Sequence, residues 1–177
     1  MRSTTIPLAA VGAYAAVVSF VFAITVAETI FLYPNMFRDV PESLALSDEF
    51  MTVVDIGGVM RPMGGVMTLS AVIAIVVALW TRQARGWVAA SLVFLISGQF
   101  LSILYQWPRA SIFGERDSHT VAEIERATTE FLVGHGFRIA ISLATAILAI
   151  TAVFSLYRAR ILAQTQANPA TEHALPS

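Results

Sequence analysis

One charge stands apart in this 177-residue chain. Glu28 follows the uncharged run Ser3 to Ala27 and is followed by Thr-Ile-Phe-Leu-Tyr, so apolar sequence lies on both sides of it. A carboxylate in hydrocarbon is costly unless paired or protonated, which makes it a candidate for proton handling or ligand contact. Nearer the interface it would instead hydrogen-bond between helices. The second group is Gly134-His135-Gly136-Phe-Arg138. The glycines let a backbone or ligand come close to the imidazole, and a histidine there can shuttle protons or bind a metal. Arg138 and Arg61 both stand at the outer ends of apolar runs, where a guanidinium meets lipid headgroups or steadies a developing anion. Gln99 lies at a similar depth to Glu28 and is its candidate partner, or a polar contact between helices. Tyr33 and Trp107 complete the candidate set as aromatic substrate contacts at that level.

Other chemistries are excluded by composition. There is no cysteine, so thiolate metal sites and Cys nucleophiles are absent. All basic residues are arginine, which removes Schiff-base and P-loop lysines. Net charge is −1, with no basic stripe for nucleic acid. A bundle-type di-iron site wants paired Glu-x-x-His motifs, whereas Glu130 and His135 are five apart. No span carries two histidines for a haem. No metal site is expected, and one metal on His135 with Glu28, Asp55 or Glu130 is the remaining arrangement.

The elements that must position these residues follow from the charges. Hydrophobic residues make up 56% and charged ones 13%, against about 25% charged in a soluble protein. About half the chain lies in four uncharged runs, Ser3 to Ala27, Pro62 to Thr81, Gly86 to Pro108 and Ile139 to Tyr157. A hydrocarbon core of about 30 Å needs roughly 20 apolar residues, and its backbone must bond internally. The chain therefore reads as an all-α, four-transmembrane-helix bundle over 1–162. Its spans fall at about 7–33, 62–81, 86–108 and 137–158. The first span is too long for a signal peptide and reads as retained. A polar tail over 163–177 reads as disordered. Arg2, Arg82, Arg85, Arg158 and Arg160 mark one side, while the other loops carry ten acids against six Arg. The positive-inside rule puts both termini in the cytoplasm, in a multi-pass protein of the cytoplasmic membrane. Trp80, Trp87 and Tyr157 fit the inner aromatic belt, Tyr33 and Trp107 the outer one.

Both outer loops carry an amphipathic helix. Asp39-Val-Pro-Glu42 reads as a capping box followed by a stripe of Leu44, Met51 and Val54. Thr120-Val-Ala-Glu123 is a second box, with Ile124, Thr128, Phe131, His135 and Arg138 on one helix face behind it. Arg126 and Glu130 form an i,i+4 pair. Each half then reads as span, aromatic-proline stop, amphipathic helix, glycine-arginine, span. The stops are Tyr33-Pro34 and Trp107-Pro108, and the layout suggests a two-hairpin pseudo-repeat.

Two segments, Phe31-Leu-Tyr-Pro-Asn-Met-Phe with Pro41-Glu-Ser-Leu, and Phe131-Leu-Val-Gly-His135-Gly-Phe-Arg138, give the chain its family likeness. It resembles the anthrone-oxygenase-like family of small four-helix membrane proteins, much of which is known only as a domain of unknown function. Family members usually have Trp at Phe131 and often an Asn-rich second loop, both lacking here. The resemblance implies oxidation of lipophilic anthrones to quinones with dioxygen and no standard cofactor, and it carries over His135 and Arg138. Glu28 rests on burial alone. The expected function is thus an oxygenase acting on a lipophilic aromatic substrate in a cavity near the outer interface. His135, Arg138 and Glu28 would be catalytic, and Arg61, Gln99, Tyr33 and Trp107 would bind substrate. Two alternatives stand beside it, a non-enzymatic membrane partner or half-transporter acting as a homo-oligomer, and a haem- or quinone-binding redox protein. The partners expected are the bilayer and a lipophilic small molecule.

Overall fold

Four helices are long and apolar enough to cross a membrane: Thr5–Met36, Gly57–Ala78, Arg85–Gly114 and Val121–Gln166. They come from a computed structural model that describes residues 5–54 and 56–167. Among the described residues there is no strand. The chain is a multi-pass helical bundle. Arg2, Asp55, Glu172 and His173 lie outside the described residues, as does most of the tail expected to be disordered. The described part of that tail, 163–167, is helical.

The first long helix has three parts: α1 (Thr5–Ala27), a π-turn (Glu28–Leu32) and α2 (Tyr33–Met36). The short helix α3 (Glu42–Phe50) precedes α4 (Ile56–Ala78). The third long helix repeats the first pattern, with α5 (Arg85–Leu101), a second π-turn (Ser102–Gln106) and α6 (Trp107–Gly114). A 3₁₀ turn at Arg116–Ser118 leads into α7 (Val121–Ala167), 47 residues without interruption.

The prolines are therefore not stops. A proline lacks an N–H and its ring crowds the carbonyl four residues back. Here the turn before each proline is widened to i→i+5, with Tyr33 N–H on the Glu28 carbonyl and Trp107 N–H on that of Ser102. The helix continues through Pro34 and Pro108, each in the first turn of the next α-segment. The residue after each proline also bonds the carbonyl four back: Asn35 Nδ2 to Phe31 at 2.7 Å, Arg109 Nη1 to Tyr105 at 2.8 Å. π-turns, prolines and these side-chain bonds all share the offset from Pro34 to Pro108, so the first and third long helices repeat in backbone.

Packing differs between the halves. α7 lies against both α1 and α5, and α1 also holds α4, whereas α4 and α5 touch only lightly. Only 11% of the α4 apolar window is buried, and Leu69, Val72 and Val76 face outward. The inner core is alanine-rich, with Ala71, Ala74, Ala146, Ala149 and Ala152 letting backbones approach around Tyr14 and Val88. Ser91 Oγ donates to the Thr145 carbonyl, so Tyr14 OH must donate to Ser91, both at 2.8 Å. A second core at the other end is aromatic: Tyr33, Phe113 and Phe131 with Leu44, Ile124 and Ala127.

The capping boxes fare differently. Thr120 and Glu123 form theirs, with Thr120 N–H on Glu123 Oε2 at 2.8 Å and Glu123 N–H on Thr120 Oγ1 at 3.3 Å. Asp39 does not cap α3. Pro41 is the flanking residue, Asp39 pairs with Arg38, and Ser43 Oγ instead serves Asp39 N–H and the Met36 carbonyl. Of the stripe expected behind it, only Leu44 is buried, because α3 ends at Phe50 and leaves Val54 60% exposed. The second amphipathic helix is fused into α7. Arg116 clasps Asp48 of α3, tying together the two segments that connect the long helices at this end.

Candidate functional site

The first π-turn faces the middle of α7. Widening the turn at Glu28–Leu32 carries Glu28, Thr29 and, one residue on, Tyr33 toward His135; π-turns are often found where side chains are re-aimed for function. Glu28 is 8% exposed and Oε2 accepts from the Tyr33 phenol at 3.3 Å. The Tyr33 ring meets the His135 ring edge-on, centroids 4.6 Å apart, and Phe131 edge-on at 5.4 Å. Arg138, half-buried one turn below His135, acts electrostatically on Glu28, Tyr33 and His135.

His135 is held in one tautomer. Nε2 lies 2.9 Å from Thr29 Oγ1 and 3.2 Å from the Thr25 carbonyl. The Thr29 hydroxyl itself donates to the Thr25 carbonyl at 3.0 Å. A carbonyl can only accept, so Nε2 carries the proton and Nδ1 keeps its lone pair, the assignment resting on this network. Nδ1 is buried and has no hydrogen-bond partner among the described residues. Chemically this is a neutral imidazole with one unprotonated nitrogen, clustered with a carboxyl, a phenol and a guanidinium.

Gly134 explains the glycine beside His135. A Cβ there would lie 2.7 Å from two Tyr105 ring carbons and 2.9 Å from Gln106 Nε2, so the second π-turn packs into the space the glycine leaves. Gly136 has open space around it. Nothing approaches the imidazole through it.

The structure brings together Glu28, Tyr33, His135 and Arg138, and leaves three expected members outside. Gln99 does not reach Glu28; its Nε2 lies beside Gly64 of α4. Arg61 is exposed on α4, a helix that hardly touches α7. Trp107 is 55% exposed and makes no ring contact with the site among the described residues. Tyr33 is corrected in the other direction. It is 6% exposed, buried in the aromatic core rather than set in an outer belt. The cavity expected at this level is filled by Tyr33, Phe37, Phe113 and Phe131 in mutual contact. Two open grooves flank it. One, about 280 Å³, is lined by Arg109, His119, Glu123, Arg126 and Glu130, and the other, about 300 Å³, lies between the first π-turn and α3.

Sequence reasoning missed Thr25 and Thr29, whose signal was their i,i+4 spacing around Glu28, and Gln106, which lay unremarked within the third uncharged run. It also missed that Glu130 is bound by Arg109 at 2.8 Å as well as by Arg126 at 2.9 Å. Among the described residues no group of three His, Asp or Glu converges to hold a metal ion. Comparison with protein-family descriptions, curated proteins and solved structures gives no match to this chain.

Proposed function

We propose that this protein is a membrane enzyme that abstracts a proton from a lipophilic hydroxyaromatic substrate, in the manner its resemblance to anthrone oxygenases implies. The observation that carries this reading is the tautomer of His135. An unprotonated Nδ1, in a cluster with Glu28, Tyr33 and Arg138, has the lone pair that a general base uses. In this reading His135 Nδ1 takes the proton, Arg138 steadies the anion that forms, and Glu28 with Tyr33 relays the proton. Dioxygen is the co-substrate: one O₂ per anthrone methylene yields the quinone carbonyl and water. In this reading the substrate approaches from the groove between the first π-turn and α3, and the aromatic core backed by its wall residues Leu32 and Met36 has to open to admit it to Nδ1.

The test is turnover of an anthrone by purified protein. His135→Ala is expected to lose at least about 100-fold in rate, the usual contribution of general-base catalysis. Turnover at the unaltered rate would end the proposal.

The same reading sets both termini in the cytoplasm and α3, α6 and the first turns of α7 outside, supported by the arginine bias. Because the chain has no cysteine, one introduced at exposed Ser111 or Gln83 is unique. A membrane-impermeant maleimide on intact cells should label Ser111→Cys and spare Gln83→Cys; the reverse pattern inverts the topology. A second reading, half of a transporter working as an oligomer, is favoured by the π-turn repeated at one offset in the first and third long helices, since many transporter folds are built from internal repeats.

A further inference from the structure

The arginines divide by end. At the end that bears the aromatic core, Arg38, Arg109, Arg116 and Arg126 each hold a carboxylate. At the opposite end Arg82, Arg85, Arg158 and Arg160 have no hydrogen-bond or ion-pair partner among the described residues. No Asp or Glu occurs there to supply one, over 5–14, 78–88 or 152–167. Four guanidiniums thus stand uncompensated at the feet of membrane-length helices, accompanied by the exposed rings of Trp80, Trp87 and Tyr157. Such rings favour the level of lipid headgroups.

Three of the four are gathered at one joint. The turn between α4 and α5 is pinned to α7, because Ser155 Oγ donates to the Gln83 carbonyl at 2.9 Å and Ala84 is buried in the core that contains Leu156. Arg82 and Arg85 flank the pinned pair Gln83–Ala84, and both are exposed. Arg158 is also exposed and lies one turn beyond Ser155, about 60° round α7 from it, on the side of the joint. Arg160 is about 140° round, past buried Leu156, and falls on a different side of the helix. The stems of Arg82, Arg85 and Arg158 are therefore fixed around one hydrogen bond while their heads stay open to a ligand.

We propose that this joint is a docking site for an anionic phospholipid of the adjoining leaflet, its phosphodiester held by Arg82, Arg85 and Arg158. A guanidinium presents a planar fork of donors that matches two phosphate oxygens, and basic pockets at the ends of membrane helices hold anionic headgroups. Charge selects the headgroup: three cations face no acid, and a zwitterionic lipid would bring a further cation among them. Place selects a lipid over a free anion. Phe154, four residues before Arg158 on the same face of α7, is apolar and exposed, as is Leu79 beside Trp80, so surface for acyl chains adjoins the cationic joint. The site does not depend on the chemistry proposed for His135.

The test titrates the full chain in mild detergent with phosphatidylglycerol, or with phosphatidylcholine of the same chains, and counts bound lipid by native mass spectrometry. Phosphatidylglycerol should bind at least about ten-fold more tightly. Arg82→Gln, Arg85→Gln and Arg158→Gln should each weaken it about five-fold, the worth of one arginine near an anionic headgroup, and Arg160→Gln less than about two-fold. All four are changes at the surface, and melting curves without lipid check that each variant folds. Equal binding of the two lipids by the parent protein overturns the proposal. So does an equal loss in Arg158→Gln and Arg160→Gln, the mark of an attraction spread over the whole end. Displacement of the lipid by inorganic phosphate, where chloride of the same ionic strength has no effect, would make this a site for a free anion and overturn it too.

Discussion

The two π-turns have the same length, the same proline six residues after their start and the same side-chain bond from the residue beyond it. Yet they do different work. The first presents Glu28, Thr29 and Tyr33 to His135. The second presents Tyr105 to the bare backbone of Gly134 and a Gln106 amide to the Phe131 carbonyl. Backbone repetition supplies the widened turn, and the identity of the residues on it decides between a polar site and a packing joint. α7 accepts both turns side by side, with Gly134 for one and His135 for the other. On α4 the corresponding glycines begin the helix instead of lying within it.

Four substitutions would break or sharpen this contrast. Phe131 is shared by both sides, its ring against Tyr33 and its carbonyl on Gln106. Phe131→Ala should cost about 3–5 kcal/mol by the usual price of an aromatic cavity, read by thermal unfolding in detergent. Phe154→Ala, on a side chain 66% exposed to the apolar surroundings, should cost under about 1 kcal/mol by comparison with other surface changes. Next, Gly134→Ala should destabilise by about 1–3 kcal/mol, because it overpacks the Tyr105 ring. Gly136→Ala, with open space around it, should stabilise by up to about 1 kcal/mol through helix propensity. Equal effects at the two glycines would show that the second π-turn does not seat at Gly134.

Smaller effects separate chemistry from packing. Glu28→Gln should lower anthrone turnover about ten-fold, near 1.4 kcal/mol of transition-state energy, with little change in melting. Its counterpart Ser102→Ala should leave turnover unchanged. Thr29→Val removes one hydrogen bond to His135, worth about 1 kcal/mol. The ring should keep the Nε2–H tautomer, visible in the ring ¹⁵N shifts, because the Thr25 carbonyl that remains can only accept. Appearance of the Nδ1–H tautomer would place the control with Thr29 instead.

Much of this was legible beforehand. Charge-free runs gave all four membrane-length helices. The spacing of Ile124, Thr128, Phe131, His135 and Arg138 gave the face of α7 that bears the site, with its first four members buried and Arg138 half-buried. Thr120 and Glu123 announced their cap because both partners of a capping box are local. What failed was non-local. Pro34 and Pro108 read as stops because a π-turn leaves no residue-type signature, only a changed hydrogen-bond register. Gln99 was matched to Glu28 by depth, but depth does not determine which face of α5 an amide occupies. Tyr33 was assigned to a lipid belt because nothing local says that α3, α6 and α7 close over it.

α7 is long enough to matter mechanically. At 1.5 Å per residue its 47 residues span about 70 Å, more than twice a bilayer's hydrocarbon thickness. The same unbroken rod carries the Thr120–Glu123 box near one end, His135 between, and Arg158 and Arg160 toward the other. A rod of that kind adapts to a thinner or thicker bilayer chiefly by leaning. α7 packs extensively against α1, the helix that runs into the first π-turn, and His135 is bonded to it through Thr29 and Thr25. A lean shared by the two helices therefore carries the imidazole and its partners along together.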